Sequence, residues 1–214
     1  MTLRSIQRIT ITGALVAAFS FTACTEKQQE SADTAQEQHQ AMNHEAMSPE
    51  STTHNTVADA PDYAAAADPI KQQVAQLLGS YLKLKDALVA TDPQVAKTEA
   101  QAVLTAAGNV DVAGLTAEQQ QFATEKLEKI KQSASGIAGA ADVAVQRNHF
   151  EALSEATFTL AKAFDATSET LYYQFCPMAN NNEGGYWVSA EKEIRNPYMG
   201  EAMLTCGSTE EVLN

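Results

Sequence analysis

Twice this chain places Asp-Pro directly ahead of a segment with helical periodicity: Asp68-Pro69 before IKQQVAQLLGSYLKLKDAL, and Asp92-Pro93 before QVAKTEAQAVLTAAG. Aspartate is a good N-cap, and proline suits the first helical position because its missing N–H would be unpaired there anyway. The device predicts two helices of fixed phase. In the first, Ile70, Val74, Leu77, Leu78 and Tyr81 fall on one face. The second is short and alanine-rich, with a stop at Gly108-Asn109. Thr116 with Gln119 makes a capping box for a third, whose Phe122, Ile130 and Ile137 recur at close to two-turn intervals. A fourth is expected from near Asp142, with Phe150, Leu153, Thr157, Leu160 and Phe164 stepping by three, four, three and four along a packing seam. Short connections make neighbours antiparallel, so the expected fold class is all-α, an antiparallel four-helix bundle. Aromatic residues make up only 7% of the chain, which favours close-packed helices over a sheet sandwich.

After Phe164 the texture changes. LYYQF (171–175) and YWVS (186–189) are aromatic and β-prone, with the turn-forming NNNEGG (180–185) between them, so a small two-stranded hairpin is expected. Asn196-Pro197 then reads as another N-cap and first-turn proline, and Gly207 as a C′ glycine, which predicts a short helix of about three turns between them.

Ahead of the bundle, residues 1–23 read as a secretory signal: Arg4 and Arg8, an uncharged stretch from Ile9 to Ala23, then Cys24. The stretch is too short for a comfortable membrane span. Phe21-Thr22-Ala23-Cys24 resembles a bacterial lipobox, with phenylalanine where leucine is usual, so Cys24 is the expected lipidation site and the mature protein a membrane-anchored lipoprotein of the bacterial periplasm or outer membrane. Plain secretion is the alternative. Residues 24–67 have almost no branched aliphatic side chains and predict a disordered tether. Within it, HQAMNHEAM gathers His39, Met42, His44 and Met47, an accessory donor set suited to Cu(I) or Ag(I), or else a chance of polar composition. The folded domain is then 68–214, large enough to bury its own core. A net charge of -13 leaves no basic stripe for phosphates, which argues against nucleic acid and for cations.

The domain's soft donors concentrate at its end. In a helix over 197–206, Met199, Met203 and Cys206 project from one side, because three- and four-residue steps return to the same face. Cys176 and Met178 come just after the first strand's aromatic run, where the hairpin can carry them back over that helix. Cys176, Met178, Met199, Met203 and Cys206 together make a thiolate and thioether set that selects univalent copper or silver; zinc seldom takes thioether. Two other readings stand beside it. Methionines at helical spacing commonly fill cores, and two cysteines in an exported protein are a natural disulfide, here closing a loop of about 30 residues and contributing about 3 kcal/mol. A reversible version, metal-binding when reduced and stapled when oxidised, is the third.

The segment from Tyr172 to Gly207, through Cys176-Pro177-Met178-Ala179, Tyr186-Trp187, Ile194, Asn196-Pro197-Tyr198, Gly200, Met203 and Cys206-Gly207, resembles the C-terminal signature of a family of exported bacterial helical-bundle domains of unknown function. The similarity extends to KIKQSASGIAGA (129–140) and QRNHFEALSEA (146–156). Such domains occur alone as lipoproteins and at the end of periplasmic adaptor subunits of copper and silver efflux pumps. The resemblance implies heavy-metal binding, copper first, with Cys176, Met178, Met203 and Cys206 as ligands; Met199 stands where the family is commonly aromatic. The expected function is therefore a non-enzymatic envelope lipoprotein binding Cu(I) or Ag(I) in copper homeostasis, with an efflux system as partner. The alternative is a disulfide-stapled helical interaction module without a metal. His149 beside a thiol is a poor basis for an enzyme, and no Cys-x-x-Cys pair, phosphate loop or nucleophile elbow is present.

Overall fold

A computed structural model describes residues 59–167 and 169–214. The expected signal, Cys24, His39, Met42, His44 and Met47 lie outside the described residues. Five α-helices come first: α1 (Asp68–Val89), α2 (Pro93–Gly108), α3 (Ala117–Gly139), α4 (Val143–Asn148) and α5 (Phe150–Phe164). Of the helix starts, Asp92 caps α2 by accepting from the Gln94 and Val95 N–H groups, each at 3.0 Å. Thr116 and Gln119 close their capping box reciprocally at 3.4 and 3.1 Å. Asp68 differs: it is itself the first residue of α1, preceded by Ala67 with no side-chain cap. The predicted fourth helix is interrupted at His149, whose N–H reaches back only to the Gln146 carbonyl, and so divides into α4 and α5.

α1 packs on α2, α2 on α3, α3 on α5 and α5 back on α1. Inside this ring Leu77, Leu84, Leu88, Val103, Ile130, Ile137, Leu153 and Leu160 are fully buried. The chain ahead of α1 reaches the same core: the Tyr63 N–H donates to the Ala163 carbonyl at 2.7 Å, and the Tyr63 ring meets Phe122 and Phe164.

Beyond α5 the all-α expectation is overturned. β1 (Leu171–Cys176), β2 (Gly185–Ser189) and β3 (Ser208–Leu213) form an antiparallel sheet in the order β2-β1-β3, so the protein is mixed α and β. The β1–β2 pair is the hairpin read from the sequence, in register from Tyr172↔Ser189 to Cys176↔Gly185. β3 is the addition. It is an edge strand of sequence STEEVL that is mostly solvent-exposed, so it carries none of the buried alternation by which strands announce themselves. The three-turn helix expected before it is also absent. Only a 3-10 turn forms, Gly200–Met203. Gly200 sits at φ +54°, and a Cβ there would collide with Thr91 Oγ1 and meet Arg147 Nη2 at 2.8 Å, so the chain bends to pass close to the helices.

Sheet and helices share one core. Phe158 of α5 stacks on Tyr173 of β1 with centroids 3.9 Å apart. The buried Tyr81 hydroxyl pairs with Ser154 Oγ at 2.7 Å and accepts from the Val188 N–H at 3.0 Å, which satisfies a donor of the β2 edge. Arg147 fastens the last loop: its Nε donates to the Pro197 carbonyl at 2.7 Å, and its Nη2 to the Leu88 carbonyl and Thr91 Oγ1 at 2.9 and 3.0 Å.

Candidate functional site

Pairing of β1 with β3, with Phe175 opposite Ser208, brings the end of β1 beside the residues that lead into β3. Cys176 is the last residue of β1 and Cys206 stands two residues before β3, so the two thiols meet across the sheet. Both are free thiols, Cys176 fully buried and Cys206 partly exposed. Hydrogen bonding to Cys176, then burial, then the charge of Cys176 push the Cys206 thiol up to about 11, opposed by the Met178 backbone N–H, which points to the Cys206 sulfur. A proton is therefore held firmly on Cys206 until something that binds thiolate more strongly displaces it.

Gly207 lets the strands close. Its φ is +141°, and a Cβ would meet the Phe175 carbonyl oxygen at 2.7 Å and the Trp187 ring at 2.9 Å. Asn196 fixes the other side of the loop. It is fully buried; its Nδ2 donates to the Cys206 carbonyl at 2.8 Å, and its Oδ1 accepts from the Tyr198 and Met199 N–H groups at 2.8 and 3.0 Å. The sequence reads Asn196 as the N-cap of a helix that does not form; its side-chain oxygen still accepts cap-like bonds from the next residues, but nothing in the sequence signals that its amide nitrogen bonds a cysteine carbonyl. Tyr198 completes the support, buried against Trp187 and Phe150 with its hydroxyl donating to the Tyr186 carbonyl.

The methionines divide. Met178 and Met203 are 44% and 39% exposed, among the few large apolar side chains so placed. Both adjoin Cys206 through the backbone: Met178 through its N–H on the sulfur, and Met203 through its carbonyl, which accepts the Cys206 N–H at 3.1 Å. The helix face expected to carry Met199 is the correction. Residues four apart no longer share a side in a 3-10 turn, so the expected single face of Met199, Met203 and Cys206 does not form. His149 packs its ring over the position where Gly136 lacks a Cβ.

Among the described residues no group of three or more His, Cys, Asp or Glu side chains is arranged to hold a metal ion. The donor set at the site is thus two thiols, which fits a soft univalent ion of low coordination number and not a hard divalent one. Among the same residues no helix is long and apolar enough to cross a membrane. No curated protein and no solved structure matches the chain. One family model does. A domain described as a protein of unknown function (DUF3347) is found at residues 77–169, from within α1 to just short of β1, which makes the helical part of this chain a stretch similar to that uncharacterised domain and leaves the thiol pair beyond it.

Proposed function

We propose that this protein is a non-enzymatic, exported lipoprotein that takes up Cu(I) or Ag(I) at Cys176 and Cys206, with Met178 and Met203 as outer thioether donors. The observation that carries the reading is the juxtaposition by strand pairing of two free thiols, one on a buried residue and one on a partly exposed residue, at the only cysteine positions among the described residues. Binding replaces both thiol protons with one cation in a site where burial of the thiolates' charge would otherwise be unfavourable. Uptake accordingly releases protons. The exposed methionines give the ion a soft first contact before it reaches the thiolates, and the tether's His39, Met42, His44 and Met47 give weaker ones. Export and anchoring at Cys24, and delivery to a copper or silver efflux system, belong to the same proposal.

The test is cuprous-ion competition titration of the reduced protein. Cys176→Ser and Cys206→Ser are each expected to lower affinity by about 100-fold or more, and Met203→Leu by less. Unchanged affinity in both serine variants would end the proposal and favour an interaction module. Cys24→Ala is expected to free the protein from membranes; continued membrane association would remove the lipid anchor from the account.

A further inference from the structure

We propose that Cys176 and Cys206 form a thiol-disulfide exchange site, closed reversibly by an external disulfide, and that closure withdraws both sulfurs from a bound soft cation. The exchange stands on the geometry of the pair; the withdrawal rests on the metal-binding reading above.

Pairing of Phe175 with Ser208 sets Cys176 at the end of one strand beside Cys206 at the approach to the other, so a bond between them needs little movement of backbone. The backbone at Cys206 is fixed on both sides, its N–H on the Met203 carbonyl at 3.1 Å and its own carbonyl on Asn196 Nδ2 at 2.8 Å, which keeps the sulfur facing its partner. The pair is also asymmetric. Cys176 has no exposed surface and Cys206 has some, so an outside reagent meets Cys206 first.

The small fraction of Cys206 that has lost its proton to solvent attacks, as thiolate, one sulfur of the external disulfide and expels the other as a thiolate, so closure is slow at neutral pH. Cys176, its own proton also passing to solvent, then attacks the Cys206 sulfur of this mixed disulfide and expels the second thiolate. In sum, two protein thiols lose two electrons and two protons, one S–S bond forms, and the external disulfide is reduced to two thiols. Among the described residues no group of three or more His, Cys, Asp or Glu side chains is arranged to take over the ion, which leaves only the weaker thioethers of Met178 and Met203.

The experiment uses the full chain carrying Cys24→Ala, which leaves two of its three cysteines, with glutathione disulfide as oxidant and Ag(I) as the metal. Peptide mapping should find a single internal link between 176 and 206, Ag(I) affinity should fall by at least about 100-fold, and dithiothreitol should restore it. Cys176→Ser should collect one glutathionyl group on Cys206, whereas Cys206→Ser should leave Cys176 unmodified in the folded protein. Fluorescence of the single tryptophan, Trp187, buried beside Gly207, checks that both serine variants fold. Failure of the link to form in a protein that binds Ag(I) overturns the exchange and leaves the metal reading intact, as does equal modification of the two single variants for the stated order of attack. A linked protein that binds Ag(I) undiminished overturns the withdrawal. A protein that links normally but binds no Ag(I) when reduced overturns the metal reading, and the withdrawal with it.

Discussion

The helical ring and the sulfur-bearing sheet are held by different forces. In the ring, apolar side chains from α1, α2, α3 and α5 are sealed from water, and a polar group among them such as Ser154 bonds to its own helix backbone and to the Tyr81 side chain of α1. In the C-terminal region the chain is tied by polar side chains to backbone groups well separated along the sequence: Asn196 to Cys206, Gln174 Nε2 to the Glu191 and Lys192 carbonyls, Arg147 to Pro197. Apolar burial is non-directional and tolerates small shifts, whereas a hydrogen bond fixes an atom. The difference teaches where a two-sulfur site belongs. Placing two thiols in contact calls for positional accuracy, and the region that supplies it is the one built from polar ties.

Phe158→Ala breaks the comparison by striking both regions together, since this fully buried ring is the stack that joins α5 to Tyr173. A loss of about 3–5 kcal/mol is expected, with helices and sheet melting in one transition. Two separate transitions by circular dichroism and tryptophan fluorescence would show that the regions are independent instead. Asn196→Ala sharpens the comparison. It removes three side-chain bonds from the last loop but no apolar packing from the ring, so a loss of about 2 kcal/mol confined to that loop is expected. Alkylation of Cys206 should accelerate by roughly tenfold or more while the main helical transition moves little. Equal effects on alkylation and on helix melting would mean that Asn196 supports the whole fold.

Legibility in the sequence divides along the same line. The capping pairs Asp92 with Pro93 and Thr116 with Gln119 were readable because an N-cap acts within three residues, and a seam of 3-4-3-4 spacing is local too. β3 was not readable. Its residues are mostly exposed, and its place is set by pairing with a strand more than thirty residues earlier, across a register irregularity between Tyr173 and Gln174. The thiol site was legible in membership and illegible in construction. Cys176 and Cys206 were expected to converge, but over a helix face; Gly200, needed at positive φ beneath Arg147, rules that helix out, and strand pairing with the Asn196 clamp brings the sulfurs together instead.

The smallest effect tests whether charge near the site belongs to the polar region's design or opposes it. Asn180, Asn181 and Asn182 follow the Cys-Pro-Met-Ala segment with φ of 49°, 58° and 70°, three successive left-handed residues, a conformation that asparagine tolerates better than most residues with a Cβ but seldom holds in a run. Asn180 is anchored by its Nδ2, which donates to Glu151 Oε2 at 2.7 Å and to the Gly184 carbonyl at 2.9 Å. Burial, followed by the charges of Glu155 and Glu183, raises the Glu151 carboxyl above its ordinary range, with the Asn180 bond acting the other way. A carboxyl raised on folding prefers its neutral form in the native state, so its contribution favours folding at pH below the ordinary range and is lost as pH rises through the raised value. Glu151→Gln keeps an oxygen for Asn180 and removes the charge. At pH 7 the variant should be more stable by about 0.5 kcal/mol, a small figure because the group is only half buried, and below about pH 4 the advantage should vanish. Thermal melts at the two pH values measure this directly: a variant less stable at pH 7 would mean that the ionised carboxylate holds the asparagine turn, and that charge, like the amide of Asn196, is one of the ties that position the sulfurs.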